Sequence, residues 1–300
     1  MSQSQGYVPT DDGVRLFFHK VGDGPISAIV PNALFMFDDF RRLANGRTLV
    51  FIDWRNRGRS DPGGDPQALR RGIHHDVDDL EAVRRYFEFE KVAVIGHSYS
   101  AVTAVLYAMK NPAHVDRVVQ LGAMQPFFGK DYPPHLKYID ETFAKVMSGL
   151  QQLEQERATT EPVEFCRKFW DILRILFVTN PVDAGKLAWD PCEAPNERNF
   201  MKQFLENVLP SIQNLNLTET EIARIQTPVL TIHGRKDRSA PYGGGKEWAR
   251  VLPNARLVTV EEGGHFPWVE EPEIVFGAID KFLSGQWPEG AREVVSMDDE

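Results

Sequence analysis

Residues 92–108 read VAVIGHSYSAVTAVLYA: an apolar run, a turn Gly96-His97-Ser98-Tyr99-Ser100, and a second apolar run. The first run, KVAVIG from Lys91, has the continuous apolar character of a strand covered on both faces. The second, 99–110, is apolar all round, which predicts a buried helix. A serine on such a strand-to-helix corner has its hydroxyl presented at the sheet edge. The N–H of the next residue, Tyr99, then points with the helix N-terminus at any developing oxyanion. The turn departs from Gly-x-Ser-x-Gly at its last position, where Ser100 replaces glycine; serine is small enough for a crowded turn. Taken alone, the stretch also fits an ordinary corner with a capping serine.

The rest of the chain repeats this alternation. Strand patterns occur at 14–21, 26–31, 47–53, 117–123, 227–234 and 255–261. Helical periodicity appears at 75–89 and again at 272–284, where Pro272 sits in the first turn. Strand and helix in alternation predict an α/β fold with a mostly parallel sheet flanked by helices. The alternation stops between about 125 and 218, where only helical patterns occur. That segment is expected to be a cap, or lid, inserted over the carboxyl edge of the sheet, where open α/β folds bind ligands. The expected division is therefore a core of 1–124 and 219–286, a helical cap of 125–218, and a mobile acidic tail of 287–300. The cap aromatics, such as Phe165, Trp170, Trp189 and Phe204, are expected to fill its own core.

A nucleophilic serine needs a base and an orienting acid, in chain order Ser, Asp/Glu, His on this type of sheet. After strand 227–234 comes HGRKDRSAP, which places Asp237 on a loop at the strand's carboxyl end. After strand 255–261 comes EGGHFPWVEEP, which places His265 on the next such loop. Both loops share the sheet edge with Ser98. Asp237 would hold the His265 ring in one tautomer while its other nitrogen takes the serine proton. Gly263 and Gly264 are expected to turn the loop sharply. Glu261 and Glu262, nearer in sequence, end a strand and are expected to face solvent.

With these residues in place the chain resembles the α/β-hydrolase superfamily over 8–284, and within it lidded serine hydrolases of the prolyl-iminopeptidase-like and esterase kind. The segment from His75 through the turn to Val119, HGRKDRSAP and GGHFPWVEEP carry the resemblance. So does DWRNRGRSD (53–61), which is similar to an Asp-x-Arg-Gly-x-Gly-x-Ser stretch with Asn56 at the first glycine. A serine nucleophile separates it from branches that use aspartate. The resemblance also implies a second oxyanion donor after the strand SAIV, usually from a His-Gly segment. Here the residues are Pro31-Asn32-Ala33-Leu34. Proline has no N–H, so the expected donor is Ala33, with Leu34 as the alternative; the first donor is Tyr99.

Bulk properties bound the remaining possibilities. The chain has 300 residues, 42% hydrophobic and 26% charged, with a formal net charge of −9 and no basic block. That balance argues against nucleic acid, and no apolar run is long enough for a membrane span. The first residues lack the pattern of a secretory signal. The two cysteines, Cys166 and Cys192, are too few for a disulfide framework or a thiolate metal site. A reduced cytoplasmic setting is the default expectation, with one bridge between them left open. His74, His75, Asp76, Asp78 and Asp79 cluster in sequence, but adjacent histidines diverge on a helix and acids suit its N-terminus. No metal and no cofactor is expected. His97 is expected to pack, and YGGGKEW (242–248) lacks the spacing of a phosphate loop.

The combined expectation is a serine hydrolase acting on small carboxylic esters through an acyl-enzyme. An aminopeptidase of the prolyl-iminopeptidase kind would need a cap carboxylate for the substrate ammonium, with Glu161, Glu164, Asp171, Glu197 and Glu206 as candidates. A lactonase, and a ligand-binding protein without turnover, complete the alternatives. The partner is a small-molecule ester; oligomeric state is left open.

Overall fold

The computed structural model describes residues 2–63, 65–187 and 189–298, without the side chain of Asn199. Eight strands form one sheet in the order β1-β2-β4-β3-β5-β6-β7-β8. They are β1 (Gln3–Pro9), β2 (Arg15–Val21), β3 (Ile26–Pro31), β4 (Arg47–Ile52), β5 (Val92–His97), β6 (Val115–Leu121), β7 (Val229–Gly234) and β8 (Ala255–Val260). The first two and β4 pair antiparallel, and from β4 to β8 every neighbour is parallel. This is the α/β architecture expected from the alternation. The central strands are buried along their whole length, which is why they read as unbroken apolar runs.

Strand β1 has no counterpart in the sequence reading. Its residues QSQGYVP are mostly exposed, and only Val8 is buried. An edge strand with water on its free side needs no apolar run; its register against β2, from Gln3 opposite Val21 to Pro9 opposite Arg15, holds it instead.

Helices Ala33–Phe40, Ile73–Tyr86, Tyr99–Lys110, Tyr242–Val251 and Pro272–Leu283 cover the two faces. Between β6 and β7 lie the helices Glu141–Gln155 and Pro162–Leu173 and a third helical stretch, 200–213, which contains a π turn at Phe204–Val208. Pro210 follows that turn and cannot donate a helical bond, a local reason for the irregular ladder.

Two expectations change here. Cys166 and Cys192 form a disulfide with Cα atoms 5.8 Å apart, so the reduced default does not describe this pair. Both sulfurs lie in an aromatic cluster around Trp170, with Phe35, Trp189 and Phe200 against it. The segment after 286 does not trail away over its described part. Trp287 packs on Phe282 at 4.9 Å, and Arg292 exchanges both backbone bonds with Leu257, at 2.8 and 2.9 Å. Its charged side chains masked an edge pairing to β8.

Candidate active site

The carboxyl ends of β5, β7 and β8 bring three side chains to one edge. Ser98 follows β5 with φ 57° and ψ −123°, outside the ordinary regions for a non-glycine residue. Its N–H donates to Leu121 O at 2.9 Å, which ties the corner to the end of β6. Gly96 must be glycine, since a Cβ there would stand 2.3 Å from Ser100 O and 2.7 Å from the Cα of Ala101. The turn is thus tight because the helix folds straight back on the strand. Ser98 remains partly exposed among buried neighbours.

Ser100 fills the position where glycine is usual, and it is fully buried. Its Oγ accepts from Asn32 Nδ2 at 3.2 Å and from Trp54 Nε1 at 3.1 Å. Asn32 has φ 66° and ψ 52°, a left-handed conformation that asparagine tolerates better than most residues. The helix Ala33–Phe40 begins immediately after it, and Asn32 O accepts from the N–H groups of Phe35 and Met36. The N–H groups of Ala33, Leu34 and Tyr99 meet no acceptor among the described residues. Asn56, in place of the first glycine of DWRNRGRSD, also adopts a positive φ, 57°.

Asp237 is buried, and its Oδ2 accepts from His265 Nδ1 at 2.7 Å. Its Oδ1 accepts from the N–H groups of Ser239 and Ala240 at 2.7 and 2.8 Å. His233, at the end of β7, brings Nε2 to 3.3 Å from the same Oδ2 and donates to Ala240 O at 3.1 Å. Burial pushes the Asp237 carboxyl up, but the charge of His265 and the bonds from His233 and His265 outweigh it and hold the group well below the usual carboxylate range. With Nδ1 donating to Asp237, a neutral His265 ring has Nε2 as its free acceptor. No hydrogen bond joins that ring to Ser98 Oγ among the described residues; such bonds are often long before substrate binds.

His97 supports this arrangement from below. It is buried, donates from Nε2 to His265 O at 2.9 Å, and packs its ring against His265, Phe266 and Trp268. Burial, reinforced by the neighbouring His265, drives its pKa well down, which suits a neutral packing role. Gly122, just past the end of β6 at φ 48°, leaves room for the pair: a Cβ there would lie 3.1 Å from His265 Nδ1 and 3.3 Å from Asp237 Oδ2. Sequence reasoning does not single out Gly122, and it reads His233 only as the residue that ends a strand where the acid loop opens. The signal was their place at the ends of β6 and β7, flanking loops already singled out.

Gly263 and Gly264 serve a different purpose from the expected sharp turn. Neither has a positive φ. Space is what they provide: a Cβ on Gly264 would meet Phe177 O at 2.9 Å, Thr179 N at 3.1 Å and Glu270 Oε2 at 3.2 Å. Glu261 and Glu262 are exposed and pair with Arg235 and Lys236.

The five candidate carboxylates between β6 and β7 separate cleanly. Glu161, Glu164, Asp171 and Glu206 are exposed. Glu197 is buried, but it takes a bidentate pair from Arg57, at 3.0 and 2.7 Å, and the Gly58 N–H at 3.1 Å. In the sequence cluster at 74–79, Asp79 takes Arg55, and Asp78 takes Arg71 and Lys110. Asp78 and Asp79 thus serve cations of the surrounding core and surface, whereas Asp76 is buried with no hydrogen-bond partner for its Oδ2 among the described residues.

The same architecture recurs in known proteins. A family model described as "alpha/beta hydrolase fold" matches residues 31–272. Among curated relatives, the AB hydrolase superfamily protein YisY of Bacillus subtilis is 25% identical over 92% of this chain and 98% of its own length. A proline iminopeptidase of Heyndrickxia coagulans is 23% identical over 81% of this chain and 84% of its own. Among solved structures, an esterase from Exiguobacterium antarcticum superposes with a TM-score of 0.72 at 17% identity, covering 94% of this chain and 100% of that one. The strand order, the serine corner at the end of β5 and the match across most of the chain lead to one conclusion: this protein belongs to the alpha/beta hydrolase family.

Proposed function

We propose that the protein is a serine hydrolase that cleaves small carboxylic esters through an acyl-enzyme. Ser98 attacks the ester carbonyl as His265 takes its proton at Nε2. Asp237 holds the ring by Nδ1 and stabilises the cation that forms. The Tyr99 N–H and the N–H of Ala33, with Leu34 beside it, receive the oxyanion, so donors otherwise left without a partner gain one as charge develops. The His265 cation then protonates the leaving alkoxide. Water, deprotonated by the same ring, attacks the acyl carbon and releases the acid. No step requires a cofactor.

The observation that carries the proposal is the 2.7 Å bond from His265 Nδ1 to a buried, ionised Asp237 on the edge that presents Ser98 at φ 57°. The preference for an ester over an aminopeptidase substrate rests on the cap: its one buried carboxylate among the five candidates, Glu197, is already neutralised by Arg57. Exposed carboxylates hold an ammonium weakly. A fluorophosphonate probe should label Ser98. The protein should hydrolyse p-nitrophenyl acetate or butyrate well ahead of prolyl or alanyl p-nitroanilide. Preference for the anilides would replace the esterase reading with the aminopeptidase one, and absence of labelling would replace both with a binding protein.

A further inference from the structure

Glu270 ends the short helix Pro267–Glu270, five residues beyond His265 in the chain, and its carboxylate faces two backbone donors. Oε2 accepts from Gly264 N, the residue before His265, at 2.6 Å. Oε1 accepts from Thr179 N, in the cap, at 2.5 Å. Thr179 closes a three-residue cap segment that is bonded at every position. Phe177 O accepts from Phe266 N at 3.0 Å, and its ring lies 5.5 Å from the His265 ring. Val178 O and Thr179 O accept from Arg238, the neighbour of Asp237, at 2.6 and 3.2 Å. Thr179 Oγ1 donates to Glu262 O at 2.9 Å. The segment therefore touches both loops that carry the acid and the base.

Within this set Glu270 alone contributes an ionisable acceptor. Burial raises its carboxyl above the ordinary range, while the N–H groups of Gly264 and Thr179 draw it back. Charge-assisted bonds of this kind are short and stronger than neutral ones. Gly264 and Phe266 flank His265 on either side, so the two bonds at 2.6 and 3.0 Å fix the backbone on which the imidazole stands.

We infer that Glu270 is a positioning residue: its carboxylate clips the His265 loop to cap segment 177–179, so that the seating of the cap sets the placement of the imidazole relative to Ser98. The inference rests on the serine-hydrolase reading above. It has a chemical signature in the carboxylate's symmetry. Two oxygens accept two N–H groups, whereas a glutamine of the same size offers one acceptor and one NH2. That NH2 would oppose a donor, either on the His265 loop or on the cap.

Steady-state kinetics with p-nitrophenyl butyrate, beside fluorophosphonate labelling rates, test it. Wild-type protein that neither labels nor turns over would end the hydrolase reading and the inference together. With an active wild type, Glu270→Gln should lower kcat roughly ten- to a hundredfold, since small misplacements of a catalytic group cost that much. KM should stay within about twofold, and labelling should slow in parallel with kcat, because both need the histidine in place. Unchanged kcat would overturn the inference with the hydrolase reading intact. So would a raised KM at unchanged kcat, which would assign Glu270 to substrate binding. If Glu270→Gln does not fold, Glu270→Asp keeps the charge but withdraws it by one methylene, and it should show the same loss of kcat at constant KM; unchanged kcat there would overturn the inference equally.

Discussion

Asn32 donates through Nδ2 to Ser100 Oγ at 3.2 Å, a bond between the two positions flanking Ser98 where the chain leaves its family's usual residues. Glycine at 100 would offer no acceptor, and the usual His-Gly segment would offer a different donor. The two departures therefore answer each other, and Trp54 Nε1 adds a second donor to the same oxygen. The bond also holds the residue whose left-handed backbone turns the chain into the helix starting at Ala33. Ser100→Ala should leave two donors unpaired in a buried site, a loss of about 1–3 kcal/mol. It should also lower kcat, because the Ala33 N–H loses its anchor. Thermal unfolding and ester kinetics on Ser100→Ala, Asn32→Ala and the double variant should reveal coupling; strictly additive effects would mean that the two residues act independently.

Much of this site was legible because an α/β fold places function at strand ends. Ser98, Asp237 and His265 each follow an apolar run, and their chain order suggests the roles proposed for them. What stayed hidden depended on distance in the folded chain. His233 looks like the last residue of a strand until β7 brings its ring to Asp237. Asn32 looks like a defect until its bond to Ser100 appears. Strand β1 and the 287–298 segment were missed because edge elements are held by backbone pairing, which side-chain polarity does not report.

Ser98→Ala should reduce ester hydrolysis by about 10⁴-fold or more, as loss of a nucleophile does in triad enzymes. The melting temperature should hold, because Ser98 Oγ makes no hydrogen bond among the described residues and its side chain is partly exposed. Activity that survives the substitution would remove Ser98 from the mechanism.

Arg238 links Asp140, the N-cap of the helix Glu141–Gln155, to the acid loop, with Nε 2.9 Å from Asp140 Oδ2. The Arg238 bond brings the Asp140 carboxyl down to about 2 from an ordinary 3.8. The folded state thus holds the ionised form more firmly than the unfolded chain, which binds the proton first. The stabilisation is complete above the unfolded value and disappears as pH falls from there through about 2. Asp140→Asn should therefore melt below wild type at pH 6, with the gap closing between about pH 4 and 2. A gap that is constant with pH would mean that the charge contributes nothing.

The disulfide closes a loop with a sequence separation of 26 in the helical stretch between β6 and β7. Chain-entropy reasoning gives such a loop about 3.5 kcal/mol of stabilisation. Cys166→Ser should lower the melting temperature, and thiol titration of the unreduced, denatured wild type should find no free thiol. The bridge lies beside Trp170, which stands 5.3 Å from Phe35, two residues beyond Ala33. Reduction should consequently change tryptophan fluorescence. Two titratable thiols without reductant would show that the pair is open in solution.

Gly264→Ala probes the contact between histidine loop and cap with a single methyl. The backbone there is not in the left-handed region, so the substitution carries no conformational penalty and acts through contact alone. Its Cβ would meet Phe177 O at 2.9 Å and Thr179 N at 3.1 Å, and these are backbone atoms that cannot swing aside as a side chain would. Either the cap segment moves off or the His265 loop does. Overpacking of this kind costs about 1–3 kcal/mol, so a measurable drop in melting temperature should accompany a fall in kcat. The bonds at Thr179 N and Phe177 O would stretch together, which amide exchange at Thr179 and Phe266 can follow. Protection lost at both amides with reduced kcat would place the cap and the histidine in one mechanical unit; full activity with the cap amides exposed would separate them.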